Sequence, residues 1–169
     1  MSARIHIRHG ALDDEIAAEV RHLAELAGRH DGVEPLGEQT LLDLAAGHAD
    51  HVLAEDGQLV GYGQLGPSRG GTRTAELVVA PSARGSGLGG RVLTSLLGHA
   101  GASGDANDGG ASGDTSDGAP ATQIRLWAHG SLPAASVLAR RAHLTPVREL
   151  WRMARDLTPP EHDRAESVS

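Results

Sequence analysis

The sequence predicts a single α/β domain on one mixed sheet, with elements in the order β-α-α-β-β-β-α-β-α-β. Three observations predict it. Apolar runs flank Asp56-Gly57, which is a strong hairpin signal in the first half. In the middle, the apolar strand Arg73 to Val79 passes through a turn with four glycines in six residues, Gly85 to Gly90, into an amphipathic helix. A strand, a helix and a second alternating run then follow a low-complexity stretch. The antiparallel first half separates this order from the repeated βαβ of a doubly wound dinucleotide sheet.

Each element has a local cause. Ile5 and Ile7 alternate with polar residues as a short first strand. Residues 11–30 read as a helix, with Ile16, Val20, Leu23, Leu26 and Ala27 on one face and Asp13, Asp14 and Glu15 at its positive end. A loop over 31–37 leads to a short helix over 38–46, stopped by Gly47. Strands over 51–55 and 58–65 form the hairpin, and Gly66 to Gly71 turns the chain into the strand over 73–79. The helix after the glycine turn spans 88–99, with Leu88, Val92, Leu96 and Leu97 on its buried side. Residues 101–121 hold no apolar side chain larger than alanine and read as a disordered insertion. A strand over 123–128, a helix opened by Ser131 and Pro133 and running to Arg141, and a last strand over 147–153 complete the order. The domain is thus expected over 1–157, and 158–169 as a flexible tail or inter-domain linker.

Composition excludes several chemistries. With no cysteine there is no disulfide, zinc–thiolate site or thiol nucleophile. All 15 basic residues counted as Lys or Arg are arginine, which excludes a P-loop lysine and Schiff-base chemistry. Two percent aromatic residues and a net charge of -7 argue against nucleic acid as a partner. The ten histidines show no three- or four-ligand spacing, so they read as surface or cap residues and no metal is expected. No apolar run is long enough to span a membrane, and the first ten residues lack a signal-peptide core; a cytoplasmic location is expected.

The glycine turn carries the chemistry. A strand–turn–helix of this kind aims several backbone N–H groups at one point, at the positive end of a helix, and such a point holds a pyrophosphate. Gly85-x-Gly87-x-x-Gly90 formally matches the dinucleotide fingerprint, but a hairpin and two helices precede it and the position about 20 residues on falls in the insertion. Arg84-x-x-Gly87-x-Gly89 fits better. It resembles the acyl-CoA pyrophosphate loop of the GCN5-related N-acetyltransferases, the GNAT family, and Leu77-Val-Val-Ala-Pro81 is similar to that family's fourth strand. The resemblance implies the GNAT fold and an acetyl-CoA-dependent N-acetyltransferase. It implies acetyl-CoA contacts at Leu77, Val78 and Val79, with Arg84 adding a positive charge, and at Gly85, Ser86, Gly87, Leu88, Gly89 and Gly90.

Four segments narrow this further. Asp31 to Gln39, Ala75 to Val79, Leu126 to Gly130 and Val147 to Leu150 resemble the N-terminal half of the mycothiol synthase branch, whose members carry two tandem domains of this fold. That resemblance implies an acetyl group passed to the cysteine amine of cysteinyl-glucosaminyl-inositol, and it sets Glu38 against that acceptor. Read from the residues alone, Glu38 is a helix-start acid favoured by the dipole. Glu76, on the strand before the turn, is a candidate base for the amine; alternation can equally turn it to solvent or to an arginine.

Two features depart from the pattern. Ala139 stands where many members of the family carry a tyrosine that protonates the leaving thiolate, and the one tyrosine, Tyr62, lies on the hairpin. In the two-domain branch the acetyl transfer is assigned to the other half. A non-catalytic acetyl-CoA-binding half, with or without a second such domain beside it, and a stand-alone transferase for another small amine therefore stay open beside the first reading.

Overall fold

The structure is a computed structural model that describes residues 5–44, 46–103 and 123–150. Its strands are β1 (His6–His9), β2 (Asp50–Glu55), β3 (Leu59–Leu65), β4 (Thr72–Val79) and β5 (Gln123–Leu126). Its helices are α1 (Asp14–Asp31), α2 (Glu38–Asp43), α3 (Leu88–Ser103) and α4 (Pro133–Arg141). The strands form one sheet in sequence order, antiparallel from β1 to β4 and parallel between β4 and β5.

Strand alternation divides the core into two layers. Leu53, Tyr62 and Val78 face Val20, Leu23, Ala24 and Ala27 of α1. Val52, Ala54, Ala75 and Val79 face Leu88, Val92 and Leu96 of α3. Gly63 makes the second layer possible. A Cβ there would stand 2.7 Å from Leu96 Cδ1 and 2.9 Å from Val92 Cγ1, so a bare backbone lets α3 settle onto the middle of the sheet.

The element order follows the expected one as far as α4, with shifted boundaries. The first helix starts later than residue 11, because Asp13 caps it by accepting from Ile16 N at 2.8 Å. It ends where Gly32 takes the left-handed conformation, φ 71°, and returns its N–H to Gly28 O. The second helix stops at Asp43, short of 46. The hairpin loop has three residues: Glu55 pairs with Leu59, and Gly57 supplies the positive φ of 100°. The strand expected over 123–128 ends at Leu126. α3 runs through Ser103, so the insertion begins later than 101, and the rest of 101–121 lies outside the described residues.

The last strand is a correction. Residues 147–150 form no strand, and 151–153 lie outside the described residues. Alternation there is not answered by any sheet surface: Val147 and Leu150 are 72% and 61% exposed. Residues 158–169 also lie outside the described residues.

Candidate active site

The centre of the site is the junction of β4 and α3. After Val79 a short 3₁₀ turn, Pro81–Ala83, leads to Gly85 and Gly87, whose φ values are 78° and 83°. Those angles suit only residues without a Cβ penalty. The first intrahelical bond of α3 is Arg91 N to Gly87 O at 3.2 Å. The N–H groups of Leu88, Gly89 and Gly90 therefore have no helical acceptor, as at any helix start. The first turn holds no acidic residue, and among the described residues no side chain accepts from these amides. Ser86, the side chain closest in sequence, gives its hydroxyl to Ala83 O at 2.7 Å. Gly85, Ser86 and Gly87 are exposed, while the Leu88 side chain is buried against the sheet. The result is a cradle of outward-facing amides at a positive helix end, suited to a phosphate-bearing ligand.

Next to this cradle the sheet opens. β4 pairs with β5 only from Thr72 to Ala75, and the last rung is Trp127 N to Ala75 O at 3.1 Å. Alternation then aims the N–H and C=O of Leu77, and the N–H of Val79, to the same side, past the end of β5. Val79 O is taken by Arg84 Nε at 3.0 Å. Val78 is directed otherwise. It pairs with Tyr62 on β3 and buries its side chain beneath α1, so the open edge is formed by Leu77 and Val79.

Arg84 does not bring its charge to the amides. Its guanidinium makes a two-pronged pair with Asp31 at 2.7 and 2.8 Å. With Val79 O as its third acceptor, it fastens the glycine turn to the end of α1. The hydrogen bond from Arg84 lowers the Asp31 carboxyl to about 2, against an opposing effect of burial.

Glu76 turns inward, to neither solvent nor an arginine, and is 6% exposed. Oε2 accepts from Gly37 N at 2.9 Å, and Oε1 accepts from His129 Nε2 at 3.1 Å. Gly37 is the N-cap of α2, so Glu76 ties the loop before α2 to the segment after β5. The same two segments touch at Gly130, φ 71°, where a Cβ would lie 2.7 Å from Val33 Cγ1. Glu38 is exposed at the first position of α2, one residue from this tie. His129 is the participant that sequence reasoning set aside. Its place in the Leu126–Gly130 segment was visible, but its partner stands 53 positions away.

Beneath α2 lies a buried polar chain. The Tyr62 hydroxyl donates to Gln64 Oε1 at 3.2 Å, so its oxygen accepts from His51 Nδ1 at 2.9 Å. Gln64 Nε2 donates to Thr40 Oγ1 of α2 at 2.8 Å. Burial pushes the Tyr62 phenol well above its ordinary range, with the Glu76 charge adding to the effect. Burial lowers His51, against the raising effect of Asp50. A phenol held in this way anchors α2 to the sheet. Ala139, on α4, brings no acid of its own.

The comparisons with known proteins agree with this geometry. The family model for the acetyltransferase (GNAT) domain matches residues 47–123, from before β2 to the start of β5. The chain belongs to the GNAT family. The mycothiol acetyltransferase of Thermobispora bispora is 43% identical over 164 residues, 95% of this chain and 47% of that protein. That of Nocardia farcinica is 42% identical over 153 residues, 89% of this chain and 44% of that protein. The chain thus spans about half the length of these relatives. Among solved structures, a GNAT-family acetyltransferase from Streptococcus pneumoniae covers 90% of the chain with a TM-score of 0.61 at 17% identity. An aminoglycoside N-acetyltransferase in complex with CoA covers 92% of the chain with a TM-score of 0.58 at 12% identity. These two show that the fold is the GNAT fold. Among the described residues no helix is long and apolar enough to cross a membrane.

Proposed function

We propose that this GNAT domain binds acetyl-CoA and serves the transfer of its acetyl group to the cysteine amine of cysteinyl-glucosaminyl-inositol, forming mycothiol and releasing CoA. The observation that carries the reading is the row of uncapped amides at the start of α3, beside the open edge of β4. In this reading the amides of Ser86 to Gly90 receive the pyrophosphate. The pantetheine arm lies along Leu77 and Val79 as an added strand would. An N–H on that edge is in position to stabilise charge on the thioester oxygen. Gly85 and Gly87 keep Cβ atoms out of the approach, and Arg84 acts through position, by holding the turn. Glu38 is set toward the acceptor at the mouth of the gap. The likeness to mycothiol acetyltransferases supports the choice of acceptor. A cytoplasmic location accords with acetyl-CoA as the donor.

Calorimetry with acetyl-CoA tests the reading. Gly87→Glu puts a carboxylate into the cradle and is expected to abolish binding. Ser86→Glu adds the same charge at an exposed position without positive φ, and is expected to weaken binding strongly while the fold is kept. Unchanged affinity in both variants refutes the loop assignment.

A second reading is favoured by Ala139 and by the half-length match: an acetyl-CoA-binding half whose partner domain performs the transfer. Turnover by the isolated chain separates the two, and a second Arg-x-x-Gly-x-Gly domain encoded next to this one supports the half-enzyme.

A further inference from the structure

We propose that a groove between β1 and α3 receives the 3′-phosphate on the coenzyme's adenosine, with Arg91 as the side chain that binds it. The proposal rests on the acetyl-CoA reading above and extends that site from the pyrophosphate to the nucleotide.

The groove starts at the amide cradle itself. Gly87 and Gly90 form one end, Ile7 and His9 of β1 form one wall, and Arg91, Thr94 and Ser95 of α3 form the other. It encloses about 600 Å³, within the range of small-molecule sites, and it is open to solvent. The α3 residues recur three to four positions apart, so they share one face of the helix, turned to β1. Two hydrogen bonds hold that face to β1. Arg91 Nη2 donates to Ile5 O at 3.1 Å, and Ser95 Oγ lies 2.8 Å from His9 Nε2. The His9 ring stacks on His99, one turn further along α3, with 4.6 Å between centroids.

Charge decides what the groove takes. Coenzyme A carries a diphosphate on the 5′ carbon of its ribose and a single phosphate on the 3′ carbon. When the diphosphate sits on the amides of Ser86 to Gly90, the second phosphate lies one ribose away and calls for a cation. The chain has no lysine, and Arg84 is engaged by Asp31. The next arginine along the chain is Arg91, in the first turn of α3. Among the described residues no carboxylate pairs with it. Its Nη2 has an acceptor in Ile5 O, which leaves Nε and Nη1 to donate to an anion. No acidic residue lines the groove. Asp50, which reaches His99 at 3.7 Å, is held by Arg73 at 2.6 Å. Thr94 is exposed beside Arg91 and adds a hydroxyl. On the other flank of the helix start stands Leu138 of α4, 3.7 and 4.0 Å from Cβ positions on Gly89 and Gly90. An apolar side chain gives a phosphate no partner, so the nucleotide leaves the cradle toward β1.

Calorimetry of the full chain with CoA and with 3′-dephospho-CoA tests the site. The wild-type chain should bind CoA roughly 10-fold more tightly than 3′-dephospho-CoA, and added salt should narrow the gap. Arg91→Gln should lose that preference: CoA binding weakens roughly 10-fold, while 3′-dephospho-CoA binding stays at the wild-type value. Arg140→Gln, which removes an exposed arginine from α4, should keep the preference. If Arg91 serves only to hold β1 through Ile5 O, its loss weakens both ligands alike, and that result overturns the proposal. So does a wild-type chain that binds the two ligands equally, an Arg91→Gln chain that still prefers CoA, or a preference that disappears with Arg140 instead. A wild-type chain that binds neither ligand is a different failure, since it removes the coenzyme reading and this site with it.

Discussion

Arg84 grips Asp31 through both nitrogens of its fork, at 2.7 and 2.8 Å, and so joins the glycine turn to the end of the first helix. The arginine that heads the Arg-x-x-Gly-x-Gly turn is thus a structural fastening. Its third bond, to Val79 O, holds the turn beside the open strand edge. In the proposed reading the pyrophosphate is left to the backbone amides, which need no reorganisation when a ligand arrives.

This pair gives a stability signature in acid. Asp31 is lowered from 3.8 to about 2, so the unfolded chain takes up the proton first as pH falls. Its stabilisation is complete above about pH 4 and is lost as pH falls through about 2. After discounting for solvent screening the contribution is about 1–2 kcal/mol. Urea unfolding of wild type and Asp31→Asn at about pH 5 and pH 2 should show the gap between them closing in acid. A gap that is the same at both values contradicts the assignment.

Tyr62→Phe should destabilise the fold by about 1–3 kcal/mol, because it strips a partner from both His51 Nδ1 and Gln64 inside the protein. Denaturant midpoints measure this. Since the chain ends on Thr40 of α2, the variant should also weaken acceptor binding more than acetyl-CoA binding.

Gly63→Val should cost about 1–3 kcal/mol or more by overpacking, since its first side-chain carbon already meets Leu96 at 2.7 Å. Thermal unfolding checks it. Gly98, with nothing within 4 Å of its Cβ position, is the control: Gly98→Ala should be neutral or slightly stabilising.

Glu38→Gln should raise KM for the acceptor while acetyl-CoA affinity stays at the wild-type value, because the residue is exposed at the start of α2 and apart from the amide cradle. Steady-state kinetics with each substrate varied in turn measures the split. Equal effects on both substrates contradict its placement toward the acceptor.

The parts of the fold written in local patterns were legible. Asp56-Gly57 announced the hairpin, the glycine run announced the turn, and apolar spacing in α1 and α3 announced most of the buried faces, except that Leu26 is 41% exposed and Leu93 is buried beside the expected set. The last strand was misread over 147–150 because the alternation expected across 147–153 is a local pattern, and among the described residues no sheet surface receives Val147 or Leu150. The long-range ties were invisible for a different reason. Arg84 with Asp31 and Glu76 with His129 are each 53 positions apart, and no period or spacing encodes such a pairing. Arg84 therefore read as a phosphate contact and His129 as a surface histidine. In both cases what the sequence showed was residue type, and what decided the role was the partner brought in by the sheet.

The most direct test of the central claim is to titrate ¹⁵N-labelled protein with acetyl-CoA and follow the backbone amides. Ser86, Gly87, Leu88, Gly89 and Gly90 should shift as the pyrophosphate docks, together with Leu77 and Val79 along the open edge of β4. Saturable binding that leaves those seven amides unmoved would contradict the account.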